Sequence, residues 1–191
     1  MKKVSLIIRI LGVALILVSL GILLFNLIHT EQMGKKNAAV VTQLQGLMPP
    51  ARQGNPQDYD QQEMPALELD GVDYVCLLEV PSQGVTLPVQ SQWDTNALKS
   101  RPCKFWGSIY NGNCILGGSG SQFDFCAKLD LGDSILLTDM EGTVFTCYVQ
   151  RIDRSSTANF DRLSQGDFPL TLFVRQEYAS EYIIVRCGWN R

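Results

Sequence analysis

Apolar residues fall along this chain in two regimes. The first is a single block: from Ile10 to Ile28, ILGVALILVSLGILLFNLI, no residue is ionisable and only Ser19 and Asn26 interrupt the apolar side chains. A helix resting on a soluble core would keep one polar face, which this run lacks. At about 1.5 Å per residue it matches a hydrocarbon layer of about 30 Å, and the pattern predicts a transmembrane helix. Lys2, Lys3 and Arg9 precede it and favour a cytoplasmic start, although Lys35 and Lys36 beyond it reduce the contrast. No small-residue cleavage pattern follows in FNLIHTEQMGKK, so the run reads as a retained single-pass anchor rather than a signal peptide.

The second regime is a series of short runs. After a segment with helical spacing (Val40, Val41, Leu44, Leu47, Met48), residues 49–65, PPARQGNPQDYDQQEMP, concentrate proline, glutamine and aspartate and read as a linker. Then VDYVCLLEV, GVTLPV, GNCILGG, SILLTD, TVFTCYVQRI, LTLFVR and YIIVRC follow one another, rich in β-branched and aromatic residues and separated by turn formers. Glu141-Gly142 between two of them predicts a hairpin. The expected organisation is a membrane anchor over 1–30, a juxtamembrane helix and linker over 31–65, and an all-β domain over 66–191. Closure removes exposed strand edges, which favours a barrel over a sandwich.

Charge and composition then narrow the chemistry. A formal charge of −3 and a pI of about 5.1, with no basic stripe in the β domain, exclude a nucleic-acid groove. Six cysteines, Cys76, Cys103, Cys114, Cys126, Cys147 and Cys187, permit up to three disulfides, while the three in strand-like runs, Cys76, Cys147 and Cys187, also suit buried free thiols. No CxxC or HExxH spacing points to a metal, and Asp124, Asp130, Asp133 and Asp139 read as turn and strand-end residues, so no cofactor is expected. The one histidine, His29, lies beside the apolar block and reads as interfacial; the β domain has no imidazole to activate a cysteine or serine. Ser119 and Ser121 in GGSGS lack a GxSxG elbow, and a serine-lysine pair would need Lys99, Lys104 or Lys128, so a glycine-rich loop is the simpler reading. Trp93, Trp106 and Trp189 are core or rim aromatics.

From VDYVCLLEVPSQGVTLPV, through GNCILGGSGSQFDFCAKLDLGDSILLTDMEGTVFTCYVQRI, to LTLFVRQEYASEYIIVRCG, the order of segments over residues 70–188 resembles the sortases, membrane-anchored cysteine transpeptidases of Gram-positive cell surfaces. The resemblance implies a closed sortase-like β-barrel of about seven or eight strands, preceded by the transmembrane helix. It also implies three site positions. The family's histidine place is taken by Ser119, its cysteine place by Arg175 and its arginine place by Tyr182; Arg186 lies four residues beyond Tyr182, roughly 13 Å along the strand. A hydroxyl, a fixed cation and a phenol supply neither nucleophile nor neutral-pH base. The expectation is a membrane-anchored extracytoplasmic sortase-like protein without transpeptidase activity, binding a surface-protein peptide or cell-wall fragment. The alternative is a divergent active sortase that uses a displaced thiol such as Cys114 or Cys187.

Overall fold

Strands form where alternate residues find a shared interior. The computed structural model of the protein describes residues 2–59, 63–175 and 181–190; the side chains of residues 2–11, 26, 27, 29, 30 and 57 lie outside that description as well. Helix α1 spans Lys2–Leu47, and it is followed by β1 (Arg52–Gln53), β2 (Leu67–Leu69), β3 (Val72–Val80), β4 (Val85–Gln90), β5 (Cys103–Trp106) and β6 (Cys114–Ser119). Next come β7 (Ser134–Asp139), β8 (Thr143–Ser155), the single-turn helix α2 (Phe160–Leu163), β9 (Leu170–Arg175) and β10 (Tyr182–Gly188). In β7 the buried positions are Ile135, Leu137 and Asp139, the period-two pattern of a strand with one face inward.

Eight strands close into a barrel in the order β3-β4-β5-β6-β9-β10-β8-β7, with β7 returning to β3. Only β6–β9 and β4–β5 are parallel within this circuit, and the β4–β5 seam is a single pairing, Gln90 with Cys103. Outside the circuit β1 adds in parallel to β8, and β2 joins β3 through Asp70-Gly71, both at positive φ (52° and 75°), as a two-residue hairpin turn requires. The interior is packed by residues from every barrel strand but β5, among them Leu78, Leu116, Ile135, Phe145 and Val185.

The predicted β7–β8 hairpin forms, with Gly142 at φ 78°. Its centre is a buried carboxylate. Asp139 Oδ1 accepts from the N–H groups of Glu141 (2.9 Å) and Thr143 (2.8 Å), and Oδ2 accepts from the Tyr110 hydroxyl (2.6 Å). Tyr59 stacks on Tyr110 at 4.5 Å and shares a 3.2 Å hydrogen bond with Thr143, so the proline-rich segment after α1 is drawn onto the barrel here.

The expected membrane-crossing helix is corrected by the structure: among the described residues no helix is long and apolar enough to cross a membrane. The segment is not a separate span ending at Ile28. It belongs to one continuous helix that runs on to Leu47, whose last turns bury Val41 and Leu44 against Tyr74, Leu77 and Met140. The single-pass anchor, the membrane as a partner, and the membrane localisation built on them are withdrawn with it. The side chains of Lys2, Lys3, Arg9 and His29, on which sidedness and the interfacial reading rested, lie outside the described residues.

All six cysteines are free and buried. Burial pushes the thiols of Cys114 and Cys147 up to about 12, and raises Cys76, Cys103, Cys126 and Cys187 as well. A thiol raised in the folded state contributes stability that is complete below its unfolded value of about 8.5 and is lost as pH climbs toward the folded value. Urea melts of the reduced protein are therefore expected to show falling stability from about pH 8.5 upward, and an aromatic disulfide reagent is expected to titrate thiols in denaturant but not in the native protein. The Asp139 centre gives a second expectation: Tyr110→Phe, which strips one bond from a buried carboxylate, lowers unfolding free energy by about 1–3 kcal/mol in the same melts.

Candidate functional site

Ser119 is the last residue of β6, Arg175 the last of β9 and Tyr182 the first of β10. The register sets them in one row: Ser119 pairs with Arg175 across the parallel β6–β9 ladder, and Arg175 pairs with Tyr182 across the antiparallel β9–β10 ladder. Residues directly opposite one another share a face, and neighbouring strands stand about 4.8 Å apart, so a hydroxyl and a phenol flank a guanidinium on three adjacent backbones. The Gly120 N–H donates to the Arg175 carbonyl at 3.3 Å and continues the ladder past the strand end. Arg175 is exposed; Ser119 and Tyr182 are half-buried.

The row lies outside the barrel. In β9 the inward residues are Leu170, Leu172 and Val174, whereas Phe173 joins Ile115, Leu163 and Ile184 in a separate apolar cluster on the outer face, with Phe105 and Tyr182 at its margin. Trp93, from the loop after β4, stacks on Phe173 (5.6 Å between centroids, 19° between planes) and meets Phe105 edge-on at 5.1 Å. What admits the indole is Gly117: a Cβ built there would stand 2.5 Å from one Trp93 ring atom and 2.6 Å from Phe173. Its neighbour Gly118 makes the same allowance on the inner face for Phe123. Beyond this floor Trp106 is 54% exposed and meets Phe160 of α2 edge-on, while Trp189 packs against the core near Phe145. The aromatic floor was missed by sequence reasoning; the adjacent glycines in GNCILGG were its one visible signal.

Arg186 does not join the row. It pairs with Thr171, four residues down β10 from Tyr182, where Nη1 bonds the Asp153 carboxylate and Nη2 donates to the Arg162 carbonyl at 2.6 Å. Its buried guanidinium also lies over the Phe168 ring at 5.8 Å, so it ties the connection between β8 and β9 to the sheet. Cys114 and Cys187 pair with Leu170 at the other end of β9, roughly 17 Å from the row, on the inner face. Lys104 pairs with Glu63 at 3.4 Å, and Lys128 closes the 3-10 helix that begins at Ser121. Among the described residues no group of three or more His, Cys, Asp or Glu side chains is placed to hold a metal.

No family model matches the sequence, and no curated protein matches it. Solved structures do match. Sortase C1 of Streptococcus agalactiae superposes with a TM-score of 0.54 at 21% identity, over 70% of this chain and 74% of that one. The barrel has a sortase-like fold. Sortase A of Corynebacterium diphtheriae agrees at a TM-score of 0.53 and 18% identity over 83% of this chain and 82% of its own, and the sortase D5 transpeptidase of Clostridium perfringens at 0.51 and 20% over 61% and 78%. At these identities the likeness is one of fold, and with it goes the expected closed barrel.

Gly117→Val tests the floor of the sortase-like barrel. Its side chain needs the space of the Trp93 ring, so tryptophan emission is expected to shift to the red as Trp93 is displaced, with a loss of about 1–3 kcal/mol in urea unfolding from overpacking.

Proposed function

We propose that this sortase-like barrel is a binding module without transpeptidase chemistry, which receives a carboxylate or carbonyl-rich chain on its outer face through Ser119, Arg175 and Tyr182. The observation that carries this reading is the composition of the row: three adjacent strand ends bring together a hydroxyl, a guanidinium and a phenol, with neither thiol nor imidazole. A guanidinium holds five N–H donors in a planar fork and remains protonated, which suits it to carboxylate and carbonyl oxygens. The Trp93–Phe173–Phe105 floor adjoining the row adds apolar area for the rest of the ligand.

Transfer to an amine by a displaced cysteine would need a thiolate within reach of a proton donor. The six buried thiols, each raised by burial, argue against that second reading. Binding at Arg175 depends on charge and shape alone.

The test uses the full chain and fluorescent peptides of matched sequence ending either in a free carboxylate or in an amide. The carboxylate series is expected to bind more tightly, and Arg175→Ala to cost about tenfold in its affinity, about 1.4 kcal/mol, with unfolding unchanged. Arg175→Cys alone is expected to yield no peptide cleavage, because neither Ser119 nor Tyr182 supplies a neutral-pH base to activate the new thiol. Cleavage by the unmodified protein that persists in Arg175→Ala would overturn the reading and point to a nucleophile elsewhere.

A further inference from the structure

The barrel has one thin seam. β4 lies against β3 from Gln90 back to Val85 but meets β5 only at Gln90, so from Val85 to Val89 its second edge has no strand neighbour among the described residues. Pro88 agrees with that exposure: a residue with no N–H is tolerated in a strand where its nitrogen faces away from the ladder. Strand backbones repeat every two residues, so Thr86 directs its N–H and C=O to the same open side as the Pro88 carbonyl. Among the described residues neither Thr86 nor Pro88 makes a backbone hydrogen bond outside the ladders.

At Val85, Thr86 and Leu87 this edge opens into a cleft of about 430 Å³. One wall is α1, which offers Gly34, Asn37 and Ala38; the other is the 3-10 helix Ser121–Lys128. A Cβ on Gly34 would meet nothing within 4 Å, so the helix, which packs on β4 elsewhere, leaves the space open here. Asp124 and Lys128 balance each other in the lining, and the remaining polar groups are neutral amides and hydroxyls, including Gln83 and Thr86.

We propose that the cleft between α1 and the open edge of β4 is a second binding site, which takes an extended, uncharged peptide as an added strand beside β4. The unfilled row of one N–H and two carbonyls is what another strand supplies, and main-chain pairing of this kind gives affinity with little demand on side chains. The part of the open edge that lines the cleft, Val85 to Leu87, is about 10 Å long, and the cleft falls within the size range of ligand sites. The site is separate from the Arg175 row and does not depend on the reading given to that row.

A phage-displayed library of random heptapeptides, panned on the full chain and counter-selected on full-length Ala38→Trp, supplies the probe; enriched sequences are then made as C-terminal amides. They are expected to bind the wild-type chain and Arg175→Ala equally, to weaken about tenfold on Gly34→Trp, and to slow amide exchange over residues 85–89. N-methylation of alternate peptide amides is expected to abolish binding while methylation of the intervening set leaves it intact, and raising the salt is expected to change little. Thermal melts of both tryptophan variants matching the wild type establish that the cleft, not the fold, is altered. Failure to enrich any sequence, protection at 117–119 and 175 instead of 85–89, or indifference to N-methylation would each overturn the proposal.

Discussion

The parallel pairing of β6 with β9 is the constraint on which the rest of this molecule hangs. Parallel neighbours cannot be joined by a tight turn, so the chain between them must travel round the barrel, here through the 3-10 helix, β7, β8 and α2. The register from Cys114–Leu170 to Ser119–Arg175 sends Leu116, Leu172 and Val174 inward and Ile115, Phe173, Ser119 and Arg175 outward. A slip of one residue would exchange these sets, burying the guanidinium's neighbours and exposing the core. Inner packing and outer row are thus one choice.

That choice explains what could be read from the chain. Seven strands were legible because short β-branched runs bounded by turn residues mark them, and the Glu141-Gly142 hairpin because glycine takes its positive φ without strain. β5 was not legible: CKFW is four residues long, its burial does not alternate, and its pairing shifts register between Lys104 and Trp106. β1 and β2 are shorter still and owe their form to the edges they join. The helix was read as two pieces because the run without ionisable residues stops at Ile28, yet no proline occurs before Pro49, and burial of Val41 and Leu44 on the barrel carries the helix on.

The row of candidate residues was legible by position but not by surroundings. Ser119, Arg175 and Tyr182 came from the order of segments, since residues far apart in sequence give no local sign of meeting. Trp93 could not be placed from its loop, because its partner surface is made by Gly117 and Phe173 on two other strands. The buried Arg186 likewise owes its role to Asp153 on β8 and to the carbonyl of Arg162, on a connection whose path only the folded barrel fixes.

The six reduced thiols of the interior bear on how the protein ends its life as a folded molecule. While the barrel is closed, none reaches solvent, and no covalent link shares in holding the strands together. Once it opens under an oxidant, the six can couple in 15 complete pairings, and closing again with its core intact requires them all to be undone. Unfolding in air would then be a one-way event, and the durability of the molecule would be set by how fast the barrel opens rather than by how favourable closure is at equilibrium.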